Sequence, residues 1–483
     1  MNSFALLVLF AWPLLALVPF ARLGASRASA LVVVLGWLFL PNVAVNLPGF
    51  PDYTKWTAMA LGLLAGTLVF HSDRLARFRP GLADVPVLLW ALSALGASLT
   101  NGYGLYDGLS ACFNRMLTWG IPWLAGRIHF TSRKEREELL VVLVGAALAY
   151  TPFVLWEVRM SPQLHRVVYG FAQHSFAQTH RGGGWRPMVF TDHGLALSLF
   201  LGCSTVAALA LHRVRERVAG VPTLAVFAVL AVTTVLCKSL GAFSLTLLGI
   251  ALLLMPVPAM GWVTLLTLPL VYMLVRLLDP TLLDRVLGLL DFVSADRLDS
   301  LAYRWRCEDL LAGIGWQKPW FGVTTRGYAT YDEYGQARQV VTDSLWIISF
   351  VGFGVTGLAG SVGTFLLAAG RGLLLRARHL SATASRPQAA IGIALLLVAY
   401  DCLANAFATP VWVLMAGVAG SLRATDADLV PGASPAAAEP VAPVAATHRL
   451  VRREDRELLQ SHPAGGRLRR RALKRRNPRE RSP

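Results

Sequence analysis

A few short stretches hold most of the residues in this chain whose types suit chemistry. Gly182-Gly183-Gly184-Trp185-Arg186-Pro187 is followed closely by Asp192-His193-Gly194 at the start of an apolar run. Arg186 offers a planar fork of donors matched to phosphate oxygens, and His193 can exchange a proton near neutrality. The same stretch also reads as a plain loop-to-helix junction, with Asp192 capping the helix and Arg186 laying its stem along an interface. Lys238-Ser239-Leu240-Gly241 makes a tight turn between two apolar runs; Lys238 there is either a cationic contact or an interfacial anchor. Tyr303-Arg304-Trp305-Arg306 precedes Lys318-Pro319-Trp320-Phe321-Gly322 and Arg326-Gly327. Thr342-Asp343-Ser344 opens another apolar run, with Gly354-Val355-Thr356-Gly357 further along it. Asp343 is either a helix cap or a carboxylate able to accept a proton from, or orient, an acceptor hydroxyl. The two glycines suit close helix packing.

Taken together, Arg186, Lys238, Arg304, Arg306 and Arg326 with their tryptophans and tyrosines suit an anionic, sugar-bearing, lipid-linked substrate: cations for a diphosphate, aromatic faces for sugars. Asp343 and His193 are the candidate catalytic groups. No Asp-x-Asp-type motif stands out, so arginines are expected to stabilise a leaving group, with no metal and no cofactor. The five cysteines, Cys112, Cys203, Cys237, Cys307 and Cys402, include no CxxC pair, so neither a zinc site nor a structural disulfide is expected.

The elements that must position these residues follow from composition. Of 483 residues, 55% are hydrophobic and 15% charged, against roughly a quarter charged in a soluble domain. Apolar runs long enough to cross a ~30 Å hydrocarbon core recur from end to end, and backbone satisfaction makes them helices. The expected fold is all-α: a polytopic transmembrane bundle of about 12–13 spans, at approximately 3–20, 28–47, 55–70, 84–100, 109–126, 139–157, 192–211, 221–237, 242–256, 260–278, 342–369, 388–408 and 411–422. Asn114 and Arg115 interrupt the fifth. The first lacks a basic flank and reads as a retained helix and not a signal peptide.

Four short arginine-rich loops, around Arg74–Arg79, Arg133–Arg136, Arg213–Arg217 and Arg371–Arg378, fall on one side when spans are counted between them. The positive-inside rule makes that side cytoplasmic. Two long loops, 158–191 and 279–341, then lie on the extracytoplasmic side with every candidate residue. In the second, Leu282–Val293 and Leu301–Ile314 have the periodicity of amphipathic helices. The chain divides into a bundle over 1–422 and a basic, disordered cytoplasmic tail over 423–483. That tail holds fourteen Lys/Arg against seven Asp/Glu, about seven of the net +17 charges. Attraction to anionic lipid accounts for such charge; no nucleic-acid fold accompanies it.

From residue 30 to about 420 the pattern resembles the O-antigen ligase and O-antigen polymerase superfamily of bacterial envelope proteins. Its ligases carry His, then Asn, Ser or Gln, nine residues, and Gly-x-x-Gly. Here Asp343-Ser344 is followed by nine residues and Gly354-Val355-Thr356-Gly357, with Asp in place of His. Lys238-Ser239 is similar to the family's Ser-Arg turn, Arg304 to Gly322 to its large periplasmic loop, and Arg186-Pro187 to His193 to the loop before a mid-chain span. The resemblance implies a metal-independent glycosyltransferase of the bacterial inner membrane, active on the periplasmic face. Its donor would be a polyprenyl-diphosphate-linked glycan and its acceptor a glycan or lipid. A lipid-glycan flippase or exporter, and a non-catalytic envelope assembly partner, remain alternatives.

Overall fold

A computed structural model describes residues 1–181, 183–279, 281, 295–324, 330–331, 337–338, 340, 343–378 and 386–422. The chain separates into 1–431 and 432–483; all described residues belong to the first part. The expected tail 423–483, the expected amphipathic helix 282–293 and Arg326 lie outside the described residues.

Helices dominate. In chain order they are α1 Ser3–Leu15, α2 Leu17–Arg22, α3 Ala25–Phe39, α4 Lys55–Phe70, α5 Ser72–Ala76, α6 Val85–Thr100, α7 Gly104–Arg115, α8 Ile121–His129, α9 Arg133–Met160, α10 Leu164–Tyr169, α11 Gly194–Leu211, α12 Thr223–Leu236, α13 Leu240–Leu254, α14 Ala259–Leu278, α15 Ala295–Gly315, α16 Leu345–Arg378, α17 Arg386–Asp401 and α18 Pro410–Gly420. Six stretches are long and apolar enough to cross a membrane, and six shorter apolar helices accompany them. With the α7–α8 run they fall on all thirteen expected spans. Four two-stranded antiparallel ladders are the only sheets among the described residues.

The departures have local causes. The expected span 28–47 ends at Phe39, because Leu40 is extended ahead of Pro41 and a proline disfavours helix at the residue before it. The chain then forms a hairpin, β1 Ala44–Leu47 with β2 Phe50–Thr54, turning at Pro48-Gly49, where Gly49 has φ 76°. The interrupted fifth span is α7 and α8 joined by a π-helical turn, Met116–Gly120. Arg115 is accommodated beside it: its guanidinium lies 3.6 Å from the ring centres of both Trp90 and Phe353 and donates to Ser93 Oγ at 2.9 Å. The expected span 388–408 is helical only to Asp401.

Burial is highest in the middle of the bundle. Every residue of α18 is buried, and α11 nearly so. Gly126 of α8 and Gly417 of α18 let these helices touch backbone to backbone: a Cβ on either would sit 2.3 Å or less from a carbonyl oxygen of the other helix. The peripheral helices are apolar on the outside as well. Leu14 of α1 is 71% exposed and Met260 of α14 is 74% exposed. Contiguous apolar exposure on this scale does not suit contact with water.

The two ends of the bundle differ. At one end Arg74 meets Glu135, Arg127 meets Asp84 and Arg215 meets Glu137. At the other, Lys55 meets Asp192, Arg304 meets Asp343, and the loops after α9, α12 and α17 gather.

Candidate functional site

The segment before α11 is held from below by one carboxylate. Glu157, buried near the end of α9, accepts the backbone N–H groups of Leu164, Met188 and Val189 at 3.0, 2.8 and 2.7 Å. Tyr150 Oη accepts the N–H of Phe190 at 3.0 Å. Asp192 does not cap α11. It pairs with the fully buried Lys55 at the start of α4, 2.5 Å away. The cap is His193, whose Nδ1 accepts the N–H of Leu195 at 3.0 Å.

That bond decides what His193 can do. A neutral imidazole accepting at Nδ1 carries its proton on Nε2, so it presents a donor and keeps its lone pair on the helix end. The ring stacks on Phe407, with centroids 5.1 Å apart, and meets His174 edge-on at 4.7 Å. Burial first, then the neighbouring His174, Arg186 and Arg181, push its pKa down to about 4. His193 is therefore neutral at physiological pH, a hydrogen-bond donor and helix cap in preference to a proton acceptor.

Arg186 folds back over the start of α11. A Cβ at Gly194 would come within 2.7 Å of its Cγ and Cδ; only glycine leaves that space. One Nη of Arg186 donates to the Lys238 carbonyl at 3.2 Å. Lys238, two residues past the end of α12, has φ 52°, and Ser239 caps α13. The Lys238 ammonium reaches toward Gly184, where a Cβ would lie 2.2 Å from Nζ. Arg186 Nε is buried and has no hydrogen-bond partner among the described residues. Burial, and then the positive fields of Arg181 and Arg304, pull the Arg186 pKa below its ordinary value.

Arg304 joins this group from α15. Its Nε lies 3.3 Å from Asp343 Oδ2, and both side chains are about two-fifths exposed. A pair this open adds at most ~1 kcal/mol to stability and leaves the carboxylate reachable. Asp343 stands two residues ahead of the first residue of α16. Arg306 does not join them: it is exposed, with its Nε on the Ala302 carbonyl of its own helix at 3.3 Å. Positions two apart point to different sides of a helix.

The structure thus brings Arg186, Lys238 and His193 to one place, with Arg304 and Asp343 as a neighbouring pair, and leaves Arg306 aside. Arg326 lies outside the described residues.

A buried polar knot sets α15 against α14 and α16. Glu308 accepts from Ser344 Oγ at 2.6 Å, Trp346 Nε1 at 3.3 Å and Tyr272 Oη at 3.3 Å. Arg276, fully buried near the end of α14, pairs with Asp309 and lies 3.6 Å from Glu308. Burial raises the Glu308 pKa against the pull of Ser344 and Arg276. Glu308 is one helical turn beyond Arg304, and Ser344 adjoins Asp343, so this knot fixes the distance between the two. Sequence reasoning passed over Glu157, Arg276 and Glu308. For Glu157 and Arg276 the available signal was an ionisable residue near the end of an apolar run, which is costly unless a partner waits; Glu308, in the polar α15, carried none.

The Gly-x-x-Gly motif works differently from helix packing. Gly354 has φ 65° and ψ −164°, and α16 is broken there. Residues 318–324 fill the break. Val323 and Thr324 donate to the carbonyls of Val351 and Gly352 at 2.9 and 3.0 Å, while Val355 and Thr356 donate to those of Pro319 and Trp320 at 2.7 and 3.3 Å. A Cβ at Gly354 would stand 2.3 Å from the Trp320 carbonyl carbon. Lys318 Nζ and Asn101 Nδ2 fasten the same segment to the end of α6.

Compared with known proteins, the chain matches no family model, no curated protein and no solved structure.

Proposed function

We propose that the chain is a multi-pass membrane protein that transfers or polymerises a polyprenyl-diphosphate-linked glycan, a metal-independent glycosyltransferase of the O-antigen ligase and polymerase type. Among the described residues, thirteen apolar helical runs, the peripheral ones apolar on the outside as well, support the membrane reading. Short basic loops at one end support placing the site on the extracytoplasmic face of a bacterial inner membrane. The observation that carries the chemistry is the half-exposed Arg304–Asp343 pair beside a half-buried Arg186 with an unmatched donor.

In this reading Arg304 is held by Asp343 at rest. A diphosphate entering beside Arg186 competes for Arg304 and releases the carboxylate. The acceptor hydroxyl then attacks the anomeric carbon of the donor sugar. Its proton passes to Asp343 as the new C–O bond forms. The bond from the anomeric carbon to the phosphate oxygen breaks, and polyprenyl diphosphate leaves with its electron pair. Arg186 and Arg304 neutralise the charge that grows on it, and His193 contributes a fixed Nε2–H donor nearby.

The test is transfer from a polyprenyl-diphosphate glycan by purified protein in nanodiscs. Arg186→Ala and Arg304→Ala should each lower kcat by roughly a hundredfold or more, about 3 kcal/mol, with abundance unchanged. Asp343→Asn should lose transfer yet still bind the donor. Near-normal turnover by Asp343→Asn removes it as the base; near-normal turnover by both arginine variants removes the proposal.

Passage of a lipid-glycan, without transfer, is the second reading, because discontinuous helices line many transport sites. The break at Gly354 is its one support. Its freed backbone groups, however, are bound to residues 319–324 and not presented to a cavity.

A further inference from the structure

The opposite end of the bundle carries a cavity that the proposed reaction does not use. It has a volume of about 490 Å³ and is walled by the turn after α4, the end of α8 and the ends of α16 and α18. Arg74, Arg77, Arg79, Arg127 and Arg371 line it, with Asp73 the only lining carboxylate among the described residues.

Three of the arginines are neutralised. Arg74 pairs with Glu135 at 2.7 Å, Arg77 with Asp73 and Arg127 with Asp84 at 2.8 Å. Asp84 is itself immobilised by Trp123 Nε1 at 2.8 Å and the Gly81 N–H at 2.8 Å. Among the described residues no carboxylate pairs with Arg79 or Arg371. Arg371 is anchored by one Nη on the Leu422 carbonyl, and its Nε is buried with no hydrogen-bond partner among the described residues. A donor withheld from water and left unmatched costs free energy, and an excess of two guanidiniums among the described residues of one recess calls for an anion. Phe78, Leu82 and Ile128 supply apolar wall beside them.

We propose that this cavity binds a phosphate-bearing group, held by the remaining Nη of Arg371 and by the exposed guanidinium of Arg79. Guanidinium forks match phosphate oxygens, and basic recesses between helices at a leaflet surface suit lipid headgroups. The apolar wall fits the glycerol end of an anionic phospholipid. A soluble phosphate shares the same recognition chemistry, so the experiment separates the two sources.

The full-length protein is reconstituted in phosphatidylcholine nanodiscs, with and without phosphatidylglycerol, and separately titrated with inorganic phosphate in phosphatidylcholine alone. Lipid retention is read by native mass spectrometry and stability by the melting temperature. The wild type should retain phosphatidylglycerol and melt higher with it. Arg371→Gln/Arg79→Gln should retain roughly tenfold less and lose the melting shift. The basic tail is common to both proteins, so its own lipid attraction cancels. Stabilisation by inorganic phosphate in phosphatidylcholine, lost in the variant, assigns the site to a soluble phosphate. If the double variant does not fold, the exposed Arg79→Gln alone decides, with a smaller loss in the same direction. Equal retention and equal shifts in wild type and variant, or no response to either probe, overturn the proposal.

Discussion

His193 shows how a single hydrogen bond can redirect a residue. Its type suits proton transfer, but its lone pair is committed to the N–H of Leu195. With a folded pKa of about 4 against an unfolded value near 6.5, the folded state favours the neutral ring. The stabilisation is fully present above pH 6.5. It is lost as pH falls from there toward 4, because the unfolded chain takes up the proton first. The melting temperature should therefore drop on acidification through that window. His193→Asn, which keeps a capping acceptor but does not titrate, should flatten the drop; an unchanged pH profile would show that this ring is not the group responsible. Asp343 makes the opposite case. Either a cap or a catalytic carboxylate was open from sequence, and its contact with Arg304 gives it a charged partner that a cap would not need.

At the scale of elements, the apolar runs were legible because length and hydropathy alone fix where a helix must be. Their interruptions were not. A π turn beside Arg115, the hairpin after Pro41 and the break at Gly354 depend on neighbours that lie far away in sequence. The Gly-x-x-Gly spacing was visible, yet nothing in it told packing from breakage; that required seeing residues 318–324 in the gap. Glu157 and Glu308 were missed for the same reason, since each is satisfied by groups from other segments. Gly354→Ala tests the element directly. The ψ of −164° with φ 65° is open essentially to glycine alone, and the added Cβ would meet the Trp320 backbone. The substitution should cost about 2 kcal/mol or more, measured as a lowered melting temperature. Wild-type stability with an alanine there would mean that the helix runs straight in solution.

At the scale of the whole molecule, an apolar exterior with two differently charged ends makes a topological prediction. In a background without native cysteines, a cysteine at the exposed Val167 should react with an impermeant maleimide on intact cells. One at Arg79 should react only after permeabilisation. Labelling of Arg79→Cys from outside would reverse the orientation and with it the face assigned to Arg186 and Asp343. The buried Lys55–Asp192 pair has a consequence of another kind, for biogenesis. In the proposed membrane reading, Lys55 is synthesised well over a hundred residues before its counter-ion, so α4 would enter the bilayer carrying a cation with no mate. Burying that ammonium early would be expensive, so it must wait at the headgroup level until α11 arrives. In that reading, the step that buries Lys55 against Asp192 would also seat the segment bearing Arg186 and His193. Asp343 and Arg304 would not share in that step, since neither touches the Lys55–Asp192 pair.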